Sequence, residues 1–118
     1  MSWALYAKEA LRRGEAVMVR PRGHSMKGRV NDGDLVTLAP VDPTTLKTGD
    51  IVLVRVHGTD YLHLVTAVDG ERWQIGNNRG GINGWVRAGA IYGIAVRVEP
   101  YSPERKRQGV RTNTGAAG

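Results

Sequence analysis

The feature that most constrains the fold is a pair of neighbouring strand patterns in the middle of the chain. Residues 51–56 form a run of β-branched and apolar side chains, and residues 61–68 form a second such run. The four residues between them, His57-Gly58-Thr59-Asp60, are typical of a tight connection. We therefore predict an antiparallel β-hairpin over these segments.

Further strand patterns lie on both sides of this hairpin and are separated by proline and glycine. They cover residues 16–20, 35–39 and 91–98. Residues 2–13 instead show helical spacing of apolar side chains, with Ser2 as the N-cap and Gly14 at the end. The prediction is a mostly β fold of about six mainly antiparallel strands, curled into a partly open barrel with one short N-terminal helix.

The length of 118 residues allows one small domain with a single core. We divide it into a helix packed on the domain over residues 1–14, a β domain over residues 15–99 and a basic tail over residues 100–118. The tail has almost no apolar residues, so we expect it to be disordered. No apolar run approaches the roughly 20 residues that cross a bilayer, and no signal peptide is present, so we expect a soluble cytoplasmic protein without a membrane partner.

The formal net charge of +6 suggests another alternative, that the chain is a basic nucleic-acid-binding module. The basic residues gather in the tail and near the N-terminal corner. They lack the interleaved aromatic residues that stack on single-stranded bases. We expect no nucleic-acid binding beyond a weak, non-specific interaction.

One serine follows the first predicted strand, just past a proline and glycine corner. Gly23 permits a turn that leaves the backbone amides around Ser25 free to point outward. A serine hydroxyl is a poor nucleophile at neutral pH unless a proton acceptor lies within hydrogen-bond reach. The candidate acceptor is His63, which period-two alternation places on the same face as Tyr61. The alternative for this histidine is a hydrogen-bonded residue of the sheet core.

Several segments, taken in order, resemble the signature of LexA-like repressor proteases and signal peptidases. They are Gly23-His24-Ser25-Met26, residues 31–36 and residues 48–54. The resemblance covers about residues 17–98 and implies a serine protease in which Ser25 is the nucleophile and the Ser25 and Met26 amides form the oxyanion hole. Most such proteases use a lysine base. The archaeal and endoplasmic-reticulum signal peptidases resemble this chain in having histidine there, which assigns the base to His63.

Histidine-type relatives have an acidic residue in a later segment, and the corresponding residues 75–86 contain no carboxylate. We name Asn77 and Asn83 as candidates to orient the imidazole through an amide oxygen. An amide cannot stabilise an imidazolium as a carboxylate does, so we expect a slow enzyme, a dyad, or no enzyme. We also hypothesise that this segment borders the substrate cleft, with Trp85 as a wall.

The function that the resemblance favours is a soluble serine endopeptidase with a dyad of Ser25 and His63, acting on an extended peptide beside a strand edge. The alternative is a catalytically inactive protease-like fold that binds a peptide or partner protein. The missing acid favours it, as does Gly28, which stands where many relatives have proline. We expect no cofactor, and the three histidines lack metal-ligand spacing. The LexA-like relatives further imply a homodimer formed through the last strands.

Overall fold

The computed structural model describes residues 3–101. Ser2, the predicted N-cap, and most of the predicted basic tail lie outside these residues. Within them the chain forms one α-helix followed by seven β-strands. These are α1 (Trp3–Arg12), β1 (Val17–Val19), β2 (Leu35–Ala39), β3 (Ile51–Val56), β4 (Thr59–Asp69), β5 (Arg72–Gly76), β6 (Ile82–Val86) and β7 (Ile91–Glu99).

The seven strands form one sheet in the order β1-β2-β7-β3-β4-β5-β6, and every neighbouring pair is antiparallel. The described strands do not close into a barrel, because β1 and β6 remain as edges. This confirms the predicted mostly antiparallel, open β fold with one short N-terminal helix. The sequence patterns missed β5 and β6 as strands, since their segment is dense in glycine and asparagine, which are typical of turns.

The predicted hairpin consists of β3 and β4, but its turn is shorter than the sequence suggested. Only His57 and Gly58 form the turn, and both have positive φ, of 50° and 83°. Two residues with positive φ are the type I′ geometry, whose twist matches that of the flanking strands. Thr59 and Asp60 therefore belong to the ladder rather than to the connection, and they pair with the end of β3.

Two apolar clusters lie on the two faces of the sheet, and β3 contributes to both. Leu53 belongs to the cluster that also holds the buried side of α1, whereas Val52 and Val54 belong to the opposite cluster with Trp73. All three β3 side chains are fully buried. The sheet is therefore covered on both sides at its centre, which explains why residues 51–56 read as a continuous apolar run rather than an alternating one.

The helix α1 covers one face of the sheet through its alanines and leucine, but its buried side also contains a charge. Lys8 is only 9% exposed, and its ammonium contacts Asp60 Oδ2 at 3.0 Å. Trp3 is 39% exposed and lies at the start of the helix. The ion pair joins α1 to the first residues of β4, close to the segment that carries His63.

Candidate active site

Ser25 lies beyond a corner whose two arms are tied together by hydrogen bonds. The N–H of Gly23 donates to Asp32 Oδ1 at 2.8 Å, and the Arg20 guanidinium donates to the carbonyl of Gly33 at 2.8 Å. Gly23 has a φ of 113°, which side chains rarely adopt, so glycine is needed at this turn. The corner therefore holds the backbone around Ser25 in a defined position.

The structure brings Ser25 and His63 into direct contact. The Oγ of Ser25 lies 3.0 Å from Nε2 of His63, although the two residues are 38 positions apart in the sequence. His63 is paired with Val52 in the sheet and is only 6% exposed. Its ring stacks on Tyr61, with centroids 4.7 Å apart, which fixes the plane of the imidazole.

The other nitrogen of this imidazole contacts Asn83, one of the two asparagines that the sequence offered. The distance from His63 Nδ1 to Asn83 Oδ1 is 2.7 Å. An amide oxygen only accepts hydrogen bonds, so Nδ1 carries the proton and Nε2 is left with its lone pair towards Ser25 Oγ. This is the tautomer that a base for the serine hydroxyl must have.

Asn77, the second candidate, does not contact the imidazole. Its Oδ1 accepts the N–H groups of Arg79 and Gly81, at 2.8 and 2.9 Å, and so shapes the loop between β5 and β6. Asn83 reaches His63 because it lies on β6, which pairs with β5 and brings its side chain back to β4. Spacing alone did not distinguish the two residues, because β6 was not recognised as a strand.

The surroundings of His63 favour its neutral form. Burial of the ring lowers the pKa of His63 below its ordinary value of 6.5, and the hydrogen bond to Asn83 opposes this shift only in part. Desolvation penalises the charged imidazolium, and no carboxylate contacts the ring to offset that penalty among residues 3–101. At neutral pH the side chain is therefore uncharged and able to accept a proton.

The backbone that follows the serine makes a single helical turn. The carbonyl of Met26 accepts the N–H groups of Arg29 and Val30, at 2.9 and 2.8 Å. Within residues 3–101, neither the N–H of Ser25 nor that of Met26 has a hydrogen-bond acceptor. Two adjacent amides beside the serine hydroxyl are thus available to an acceptor from outside this part of the chain.

Gly28, which stands where many similar proteases have proline, has a conformation that proline cannot adopt. Its φ is 98°, and its N–H donates to Asn31 Oδ1 at 2.9 Å. A Cβ added to Gly28 would lie 3.2 Å from Nδ2 of Asn78. Glycine in place of proline therefore allows a backbone conformation that proline would exclude. In this conformation Asn78 packs directly against Gly28.

Asn78 is a residue whose role sequence reasoning missed. Its N–H donates to the carbonyl of Ser25 at 3.0 Å, and its side-chain amide donates to the carbonyl of Lys27 at 2.8 Å. These two bonds join the β5–β6 loop to the serine loop. No local sequence pattern predicts such a contact, since the partners lie about 50 residues apart in the sequence.

A cavity of about 200 Å³ opens beside Ser25 and His63. Its aromatic walls are Trp3 from α1 and Tyr61 from β4. Trp85 is not among the residues that line it, and its place as a wall of a substrate cleft stays a prediction. The Trp85 ring instead faces the guanidinium of Arg72, 5.1 Å away.

The first half of β4 presents an unpaired edge along this cavity. β5 pairs with β4 only from Leu64 onward, so the preceding residues pair with β3 alone among the described strands. The N–H of Val65 donates to the carbonyl of Asp50, just before β3. Because backbone groups alternate in direction along a strand, those of Leu62 and Asp60 point away from β3. Both residues line the cavity, so it has a strand edge as one side.

Two further classes of site have no support in the part of the chain that the structure describes. No group of three or more histidine, cysteine, aspartate or glutamate side chains in residues 3–101 is placed to hold a metal ion. None of the helices in the same range is long and apolar enough to cross a membrane.

The open antiparallel sheet and the serine corner define a protease-like domain of the LexA and signal-peptidase type. The chain matches the model of the Peptidase S24-like family over residues 4–78, which is more than half of its length, and it belongs to this family. The matched range contains Ser25 and His63 and ends before Asn83. A search of the curated proteins found no significant match to the chain. The resemblance stated from the sequence motifs is thereby confirmed.

Proposed function

We propose that this protein is a serine endopeptidase in which Ser25 is the nucleophile and His63 is the general base. The observation that supports this most directly is the 3.0 Å contact between Ser25 Oγ and His63 Nε2. A nucleophile and its base need this separation for proton transfer. The protonated Nδ1 and the lowered pKa of His63 further support the role, because both keep Nε2 unprotonated at neutral pH.

These positions support the following reaction. Nε2 of His63 takes the hydroxyl proton as Ser25 Oγ bonds to the substrate carbonyl carbon, and the carbonyl oxygen becomes an oxyanion. The N–H groups of Ser25 and Met26 donate to that oxyanion. The proton on Nε2 then passes to the leaving amine as the peptide bond breaks and the acyl-enzyme forms. A water molecule then gives a proton to the same nitrogen and attacks the ester carbon. As the ester bond breaks, Nε2 returns that proton to Ser25 Oγ, and the carboxylic acid product leaves and ionises.

Asn83 has a positioning role in this mechanism. Its amide oxygen holds the imidazole in the required tautomer and orientation through the 2.7 Å contact with Nδ1. It carries no negative charge, however, and so stabilises the imidazolium of the transition state less than a carboxylate would. We expect turnover to be slow for that reason.

The substrate we propose is an extended polypeptide. It would add a strand to the free edge of β4 and hydrogen-bond to the backbone of Asp60 and Leu62. The cavity of about 200 Å³ beside this edge has room for small side chains next to the scissile bond. Main-chain pairing would give the affinity, and the small cavity would give the selectivity.

A fluorophosphonate probe tests the assignment without the need for a peptide substrate, because it phosphonylates activated serine hydroxyls much faster than ordinary ones. We expect intact-mass analysis to show one adduct, with peptide mapping placing it on Ser25. Ser25→Ala should abolish the adduct and His63→Ala should slow its formation by at least about a hundredfold. Ser102→Ala, which removes a different serine, is the control and should leave labelling unchanged. A folded wild-type protein that is not labelled would contradict the proposal.

The second candidate is a protease-like fold that binds a peptide without cleaving it, and Asn83 in place of a carboxylate favours it. Under this alternative the β4 edge would still hold an extended segment of a partner protein. Peptide binding would then be equal in the wild type and in Ser25→Ala, with neither product formation nor probe labelling in the wild type.

A further inference from the structure

A second cavity, of about 470 Å³, shares no lining residue with the first and is bordered by His24, Lys27 and Arg79. His24 and Lys27 come from the serine loop, and Arg79 comes from the β5–β6 loop. All three side chains are exposed, and no carboxylate lines the cavity. Among residues 3–101, neither Lys27 nor Arg79 forms an ion pair.

The other basic residues of the same corner are all engaged with the protein. Arg20 donates to the carbonyl of Gly33 and Arg29 to that of Gly49, both at 2.8 Å. Arg22 lies 3.6 Å from a carboxylate oxygen of Asp32. These three cations hold loops together. Lys27 and Arg79 have no comparable side-chain partner in the described chain, which leaves their charges available to a ligand.

The two loops that carry these charges are fixed relative to the nucleophile. Asn78 bonds to the carbonyls of Ser25 and Lys27, and the N–H of Arg79 donates to Asn77 Oδ1 at 2.8 Å. The backbone of Lys27 is held directly by Asn78, and Arg79 is the next residue after Asn78. The backbones of both residues are therefore fixed relative to the serine loop. The charged cavity is thus part of the same framework as the serine.

We propose that this cavity binds the carboxylate of an aspartate or glutamate in the polypeptide substrate; the inference rests on the proposed peptidase function and names its substrate class. A chain that pairs with the β4 edge occupies the first cavity on one side of Ser25. His24 and Lys27, which line the second cavity, are one and two residues from Ser25 in the sequence, so a chain that continues past the serine along this loop would reach that cavity. A guanidinium and an ammonium that border one cavity suit a carboxylate, which the guanidinium can bind by two parallel hydrogen bonds and the ammonium by its charge.

The test compares extended peptides that carry glutamate or glutamine, one position at a time, on both sides of the cleaved bond. We expect glutamate to raise kcat/KM by about fivefold at one or two neighbouring positions. An increase of this size is what two exposed charge pairs would give. It should arise mainly from a lower KM. The preference should shrink as the salt concentration rises to about 0.3 M. Binding of the same peptides to Ser25→Ala, followed by fluorescence anisotropy, measures the preference even if no peptide is cleaved.

The variant Lys27→Glu/Arg79→Glu should reverse the preference, and Arg72→Glu/Arg87→Glu is its control because it changes the net charge equally at exposed arginines outside both cavities. Equal binding of glutamate and glutamine peptides, or an equal effect of the two charge variants, would overturn the inference. So would competition by a short DNA duplex that depends on Lys27 and Arg79, which would make the cavity a phosphate site. Absence of both cleavage and probe labelling, together with a glutamate preference in binding, would reject the peptidase and retain the carboxylate site.

Discussion

Three features of its surroundings set the chemistry of His63. Its Nε2 faces the serine, its Nδ1 proton is held by an uncharged amide, and burial lowers its pKa. The side chain is therefore neutral and able to accept a proton at neutral pH, but no negative charge stabilises it once it is protonated. Replacing the amide by a carboxylate changes that one property and preserves the size of the side chain.

We predict that Asn83→Asp increases kcat by at least about tenfold, because a carboxylate at Nδ1 stabilises the imidazolium of the transition state. The same charge raises the pKa of His63, so the acid limb of the pH profile of kcat/KM should move to higher pH. Both quantities come from pH–rate curves on a cleavable peptide. Asn77→Asp is the matched control, since Asn77 contacts only backbone N–H groups of its loop. An acid limb that stays in place in Asn83→Asp would show that Asn83 does not act on the imidazole.

The elements that surround the site are held by a few specific ties between segments distant in the sequence. One is the ion pair between α1 and the start of β4, which places a lysine over the ring of Tyr92, 5.0 Å away, and beside Asp60. The other is the bridge that Asn78 makes between the β5–β6 loop and the serine loop. Each tie gives a prediction that can be checked against a matched variant.

We predict that Asp60→Asn lowers the free energy of unfolding by about 2 kcal/mol, because it leaves the largely buried Lys8 ammonium without its carboxylate. The double variant Lys8→Met/Asp60→Asn should recover much of the loss, since no buried charge remains. Urea denaturation measures both. Arg55→Gln removes the exposed partner of Asp60, whose closest contact is 3.4 Å, and should cost only about 0.5 kcal/mol. A larger loss in the double variant than in Asp60→Asn would rule out an unpaired lysine as the cause.

We predict that Gly28→Ala slows fluorophosphonate labelling of Ser25, whereas Gly49→Ala does not. The two glycines have nearly the same φ, 98° and 100°, so alanine strains both backbones by about 1 kcal/mol. Only at Gly28 does the new Cβ press on Asn78, at 3.2 Å, while nothing lies within 4 Å of a Cβ at Gly49. Similar losses of stability with equal labelling rates would mean that Asn78 does not position the serine.

At the scale of the whole molecule, the sheet extends beyond the part of the chain that matches the family model. The match ends at residue 78, yet β6 and β7 lie beyond it, and β7 pairs with both β2 and β3 at the centre of the sheet. The amide that holds His63 also comes from beyond the match. The protease-like site is thus completed by strands outside the range that identifies the family.

The sequence predicted the parts of this arrangement that are encoded locally. The strands β2 and β3 were placed at their exact bounds. Ser25 and His63 were named from the resemblance of ordered motifs to a known family rather than from local pattern, and the two side chains lie in contact. The sequence did not predict β6 or the bonds of Asn78, nor did it choose between Asn77 and Asn83. These depend on how distant strands pair, and local spacing carries no signal of that register.

The stability of the whole molecule should depend on pH through His63. The folded pKa of His63 lies below its ordinary value of 6.5, so as the pH falls below that value the unfolded chain binds a proton there before the folded chain does. The unfolded state therefore carries more protons in this pH range. As the pH is lowered, the free energy of unfolding decreases until the pH is below the folded pKa of His63. Urea denaturation at several pH values between about 7.5 and 5 measures this slope. We expect His63→Gln to have a flatter profile than the wild type, and His24→Gln, at an exposed position, to keep the wild-type slope. Parallel profiles for His63→Gln and the wild type would mean that burial of this imidazole does not resist its protonation.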